Sequence, residues 1–255
     1  MRGQVAIWVI IGVVLVASII LFFLLSPSSK LLKPAESDVS FDVQSFMDSC
    51  ATEAVNEAVD LMLPHGGFIQ PKNTVFFDNQ EVEYLCFNRL SFDPCINQHP
   101  ALINEVKQEI KEYITPKIEG CFDEMKVEFE RRGGERVSFN SGLNVKVGLA
   151  EDKVILDIEK SVTIEKQGET RRFESLKTVV ANPIYGFVVT ATEIVSQEST
   201  FCYFEYVGYS FFYPRYKIKT YELSRPTTIY TIEDKNSGKI MNFAVRSCAI
   251  TPGGF

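Results

Sequence analysis

The sequence predicts an α+β fold in which a single N-terminal transmembrane helix precedes an extracytoplasmic domain of helices packed on antiparallel β-sheet. Three observations predict it. Residues 5–25 form a run of 21 in which all but Gly12 and Ser18 are apolar. Apolar residues then recur at spacings of three and four over residues 42–63 and again over 102–129. From residue 136 the period changes to two, as in half-buried strands. With 45% hydrophobic residues, 23% charged residues and a formal net charge of -7, the 255-residue chain is neither disordered, nor polytopic, nor a strongly basic nucleic-acid binder.

The first element is residues 5–25. An uncharged helix of that length crosses a hydrocarbon core of about 30 Å, with Trp8 near one end where interfacial aromatics collect. The run exceeds the roughly 7–15 apolar residues of a cleaved secretory signal, so a retained anchor in contact with membrane lipid is expected. A weak cleavage pattern does exist at Ser26-Pro27-Ser28. Arg2 precedes the run while Lys30 and Lys33 follow it, so the positive-inside rule decides little about orientation. Residues 26–40 are rich in Ser, Pro and Lys, have no apolar period, and read as a linker.

Residues 41–134 read as a helical subdomain with a small β-hairpin. Val43, Phe46, Met47, Cys50, Ala51, Ala54, Val55, Ala58 and Met62 recur at spacings of three and four and share one helical stripe. Ser40 or Asp42 can cap its start, and Pro64-His65-Gly66-Gly67 ends it. Residues 74–77 and 82–87 read as strands around Asp78-Asn79-Gln80. A second helical stripe runs from Leu102 to Phe129, and Pro116 inside it predicts a kink or a split.

Residues 135–255 read as antiparallel sheet with one covering helix. Residues 143–147, 154–158 and 161–164 alternate like strands. Asn182-Pro183 starts a helix carrying Ile184, Phe187, Val188, Ala191, Ile194 and Val195. Residues 227–233 and 240–245 flank a hairpin loop at 234–238, and the tail 251–255 is expected to be loose.

Six cysteines downstream of an export-type segment read as disulfides formed in an oxidising compartment. No pair has Cys-x-x-Cys spacing and there are only two histidines, so no zinc site is expected. Six cysteines allow 15 connectivities. Local structure favours Cys86 with Cys95 across a short loop holding Pro94, and Cys50 with Cys121 on the apolar faces of two helices. Cys202 and Cys248 then pair by elimination. Buried free thiols in a cytosolic domain are the alternative.

Candidate chemistry is sparse. His65 sits in a helix stop, and His99, near Cys95, matches no nucleophilic signature. Asp123-Glu124 and Glu151-Asp152 read as solvated charge; no metal or cofactor loop and no glycosylation sequon occurs. The most unusual segment is residues 201–221, which hold ten of the chain's 31 aromatics. Sheet core is the simpler reading of that density. If the rings are exposed, Tyr203, Tyr206, Tyr209, Tyr213 and Tyr216 are the ligand-contact candidates, since Tyr is a large, rigid contact residue.

Arg2-Gly3-Gln4, followed directly by the apolar helix, resembles the class III signal of archaeal type IV pilins and related surface proteins. The resemblance covers about the first 25 residues, and Trp8 stands where many pilins carry Glu. It implies cleavage between Gly3 and Gln4, and an apolar helix that serves first as membrane anchor and later as filament core. The layout with the Cys50 helix, Gly66-Gly67 and the Asp234 hairpin also resembles archaeal anchored proteins that begin with Lys/Arg-Gly-Gln, a group that implies no activity.

The expectation is a single-pass cell-membrane protein with most of its chain outside the cytoplasm. It would be a structural or interaction protein, pilin-like, that self-associates or contacts envelope proteins. The alternative is an anchored ectodomain that binds a sugar or peptide through the aromatic surface. An extracellular enzyme comes third, with no catalytic residue to nominate and no cofactor expected.

Overall fold

The computed structural model describes Val16 and residues 42–249, apart from Ser91, Gly134, Glu135, Ser141, Gln167 and Arg225. The apolar run 5–25 (Val16 excepted), the junction between Gly3 and Gln4, the linker 26–40 and the tail 251–255 lie outside the described residues. Among the described residues no helix is long and apolar enough to cross a membrane. Asp42–Phe255 forms one compact α+β unit.

Helix α1 spans Val43–Met62. The Asp42 carboxylate caps it by accepting the N–H groups of Gln44 and Ser45 at 3.3 and 3.2 Å. Its expected stripe is buried from Val43 to Met62, except that Phe46 and Cys50 are half-buried. A 3-10 turn over Leu63–His65 ends it at Gly66, whose φ of 80° is left-handed. A side chain there would also press within 3.1 Å of Glu83 Cβ, so the glycine is required by conformation and by space.

Strands β1 (Thr74–Phe77) and β2 (Gln80–Phe87) pair antiparallel. Asp78 and Asn79, with φ of 49° and 61°, make the two-residue turn whose twist suits a hairpin. The short strand β3 (Ile96–Asn97) returns against β2. Helix α2 then runs unbroken over Leu102–Gly133, so Pro116 does not split it. Packing explains this: Ile110, Ile114, Ile118 and Phe122 are fully buried on both sides of the proline, and that burial outweighs one lost hydrogen bond.

Strands β4 (Arg136–Phe139), β7 (Val162–Lys166) and β8 (Glu169–Phe173) form one three-stranded antiparallel sheet. Strands β5 (Asn144–Ala150), β6 (Lys153–Glu159) and β9 (Leu176–Ala181) form another. Helix α1 lies against β9, where Thr178 Oγ1 donates to Asp48 at 2.8 Å.

Helix α3 spans Ile184–Phe201, and the short helix α4 spans Tyr206–Phe212. Strands β10 (Tyr216–Ser224), β11 (Thr227–Asp234) and β12 (Ile240–Arg246) complete the fold. They join β1 and β2 in the order β1-β2-β12-β11-β10. The expectation of purely antiparallel sheet is corrected here, because β12 pairs with β2 in parallel. That pairing draws one sheet from both sides of residue 134. Val82, Tyr84, Ile229 and Ala244 pack into a buried cluster across the junction.

Three disulfides bind the fold: Cys50–Cys121, Cys86–Cys95 and Cys202–Cys248, with Cα–Cα distances of 6.3, 5.4 and 5.5 Å. The first two are the pairs that local structure favoured, and the third is the one left by elimination. The first ties α1 to α2, the second closes the loop between β2 and β3, and the third ties the end of α3 to the chain after β12.

Candidate functional site

The aromatic segment divides into core and surface. Phe204 and Tyr216 are buried, whereas Phe211 and Phe212 are 81% and 77% exposed. Sheet core thus accounts for only part of the segment. Sequence reading assigned no helix here, yet α4 forms because the Glu205 carboxylate caps it, accepting the N–H groups of Val207 and Gly208 at 3.1 and 3.2 Å. None of its residues is fully buried.

Beside this helix lies a cavity of about 430 Å³. Its floor comes from three neighbouring strands. Thr220 on β10 faces Tyr230 on β11, Glu222 faces Thr228, and Thr228 in turn faces Val245 on β12. One wall is the end of α3 with the segment after it: Glu198, Tyr203, Phe204 and Tyr206. Ser247 and the Cys202–Cys248 bridge close the other side. The bridge therefore fixes two walls of the cavity to each other.

Glu198 is the distinctive group. It lies in the last turn of α3 and is only 6% exposed. The Tyr230 hydroxyl donates to its carboxylate, and Ser247 Oγ donates to its backbone carbonyl at 3.3 Å. Burial raises the Glu198 pKa above the ordinary carboxylate value, against the opposing hydrogen bonds from Tyr230 and Ser247. Burial likewise pushes the Tyr230 hydroxyl up, reinforced by the adjacent Glu198.

Of the ligand-contact candidates, Tyr203 and Tyr206 line the cavity. Tyr203 donates to Glu205 at 2.7 Å. Tyr209 and Tyr213 stack on each other at 4.5 Å outside it. Tyr216 is corrected as a contact residue, because its ring is buried against α3. A Cβ on Gly186 would lie 1.9 Å from the Tyr216 hydroxyl, so only glycine admits this approach. Glu198, Tyr230, Thr220 and Thr228 were missed. A signal for Glu198 existed: it continues the stripe of Phe187, Ala191, Ile194 and Val195, where an apolar residue is expected.

The other candidates have structural partners. His99 lies between two carboxylates, with Nδ1 2.5 Å from Glu105 and Nε2 3.5 Å from Glu83. Glu83 is buried and accepts the N–H groups of Lys72 and Asn73 at 2.5 and 3.1 Å. Burial lowers the His99 pKa, but the two carboxylates outweigh it and the net shift is upward. Cys95 is disulfide-bonded and offers no thiolate beside His99. His65 Nδ1 lies 2.5 Å from the Glu81 carbonyl. Asp123 and Glu124 line a shallow groove with Phe46 and Val127. Asp152 pairs with Arg215 at 2.5 Å, and Arg215 also grips fully buried Asp234 at 2.7 and 3.0 Å. Among the described residues no three His, Cys, Asp or Glu side chains are grouped to hold a metal ion.

No family model, curated protein or solved structure matches the chain.

Proposed function

We propose that the chain is a membrane-anchored, extracytoplasmic interaction protein whose N-terminus is processed like that of a type IV pilin. The supporting observation is three disulfides downstream of a 21-residue apolar run. Bridges of this kind persist where thiols are oxidised, which supports a folded unit outside the cytoplasm. The test is mass spectrometry of the mature N-terminus from the membrane fraction, combined with protease treatment of intact cells. A chain beginning at Gln4, degraded from outside, is expected. An intact Met1 defeats the processing, and full protection from external protease defeats the orientation.

A second reading concerns how the domain makes contact, and the cavity at Glu198 favours it. A concave site walled by Tyr203, Phe204 and Tyr206 suits a sugar or peptide ligand. Glycan and peptide arrays probed with wild-type protein and with Tyr203→Ala and Tyr206→Ala test it. Binding unchanged by both substitutions removes the cavity as the contact site.

A further inference from the structure

We propose that the cavity beside the Cys202–Cys248 bridge binds a primary alkylammonium group, with the Glu198 carboxylate as counter-charge and the Tyr203 and Tyr206 rings as walls. The inference rests on the cavity being the contact site, and it does not depend on the anchor.

Three features converge on a cation. The first is the inventory of groups. The described lining residues include the buried Glu198 carboxylate and no Lys, Arg or His. Two of the lining hydroxyls already have acceptors, Glu205 for Tyr203 and Glu198 for Tyr230. An anionic ligand would meet like charge, whereas an ammonium, with three donors and no acceptor, complements what is offered. The second is the position of Glu198. The C-terminal end of a helix carries the negative end of its dipole, so a carboxylate in the last turn of α3 is disfavoured, and burial disfavours it again. No described cation forms an ion pair with it. A bound ammonium relieves both penalties at once. The third is the walls, because aromatic faces attract organic cations and accept an alkyl stem alongside. The volume of about 430 Å³ fits a small ligand or one long side chain.

The ammonium can come from a free amine or from a lysine side chain on a partner. Calorimetric titration of the full-length protein in detergent, at low ionic strength, separates these. The probes are butylammonium chloride, n-butanol as neutral isostere, N-acetyl-lysine methylamide, and a neutral trisaccharide. The expected result is saturable binding of an ammonium about tenfold or more tighter than n-butanol, with Glu198→Gln erasing that preference. Gln still accepts the Tyr230 hydrogen bond, so this variant keeps the fold. Tyr206→Leu, at the rim, should weaken the ammonium severalfold without touching Glu198. Tighter binding of the lysine derivative identifies a protein source, and tighter butylammonium a free amine. Equal binding of butylammonium and n-butanol, or a preference that survives Glu198→Gln, overturns the proposal. Trisaccharide binding lost in Tyr206→Leu, with no ammonium preference, overturns it while keeping the contact site. Silence from all four probes overturns both.

Discussion

The disulfides should stabilise the fold in a definite order, set by the length of chain each one closes. Cys50–Cys121 spans 71 residues, Cys202–Cys248 spans 46 and Cys86–Cys95 spans 9. In the chain-entropy account these correspond to about 4.4, 4.0 and 2.6 kcal/mol of unfolded-state constraint. The perturbation is a paired Cys→Ala change, one bridge at a time. Cys86 and Cys95 are both buried, whereas each of the other pairs has one buried cysteine, Cys121 or Cys202, so packing loss narrows the gap from the side of the short bridge. For a unit of this size, roughly 2–4 °C of melting temperature accompanies each kcal/mol. Losing Cys50–Cys121 should therefore lower the midpoint by about 9–18 °C, and losing Cys86–Cys95 by about 5–10 °C. Urea unfolding of the full-length protein, with non-reducing peptide mapping to verify which bridges remain, measures the order. Equal or greater loss from the 9-residue bridge refutes the reasoning. The magnitudes also bear on location. Together the three bridges supply at most about 11 kcal/mol, comparable with the whole 5–15 kcal/mol stability of a typical domain. In a reducing compartment most of that margin would vanish.

Arg215→Ala should cost about 3–5 kcal/mol in urea unfolding, because it leaves the Asp234 carboxylate buried without its bidentate partner. Asp234→Asn in the same chain should recover much of the loss, and additive effects in the double-mutant cycle would remove the pair as the cause. The His99 pKa is raised by folding, so its contribution is fully present below the unfolded value of about 6.5 and is lost as pH rises through the folded value. Thermal melts between pH 6 and 9 should thus decline, and His99→Gln should flatten that decline; an unchanged slope counts against the Glu83–His99–Glu105 cluster as its source. Glu198 is a carboxyl whose pKa is raised, so the folded state holds its proton more tightly and stability falls as pH rises from the unfolded value of about 4.3. Glu198→Gln removes that fall and should match or exceed wild-type stability at pH 7; a large loss there would mean the carboxylate is already paired with a cation in the free protein.

Much of the fold was legible because local periodicity reports burial directly. The stripe through Met47, Ala51 and Ala58 placed Cys50 beside the partner helix, and the stripe through Ile118 and Phe122 placed Cys121 opposite it. Strands β5 and β6 fall within a few residues of their alternating segments, and β11 and β12 within a residue or two of the strands read around the 234–238 loop. The parallel pairing of β2 with β12 was not legible, since Tyr84 and Ala244 are 160 positions apart and nothing local to either encodes the match. Strand β10 was hidden for another reason. Only Tyr216 and Ile218 of its nine residues are buried, so its alternation fades toward Ser224.

The site was legible in one component and not in the other. Aromatic density drew attention to Tyr203 and Tyr206, but density alone cannot separate Phe204, which is core, from Phe211, which is surface. The separation depends on α4, whose aromatics have mediocre helix propensity and whose start is fixed by a single capping carboxylate, Glu205. Glu198 carried a clearer signal. It interrupts the apolar stripe of α3 one turn before Cys202, at the helix end where a negative charge is least welcome. A residue that violates both the hydrophobic pattern and the dipole preference is retained against a free-energy cost, and such costs concentrate where a ligand offsets them. Tyr230 offsets part of it with one neutral hydrogen bond. The remainder is a buried, charge-capable group facing a cavity without a described cation, and that combination is what a bound ammonium would complete.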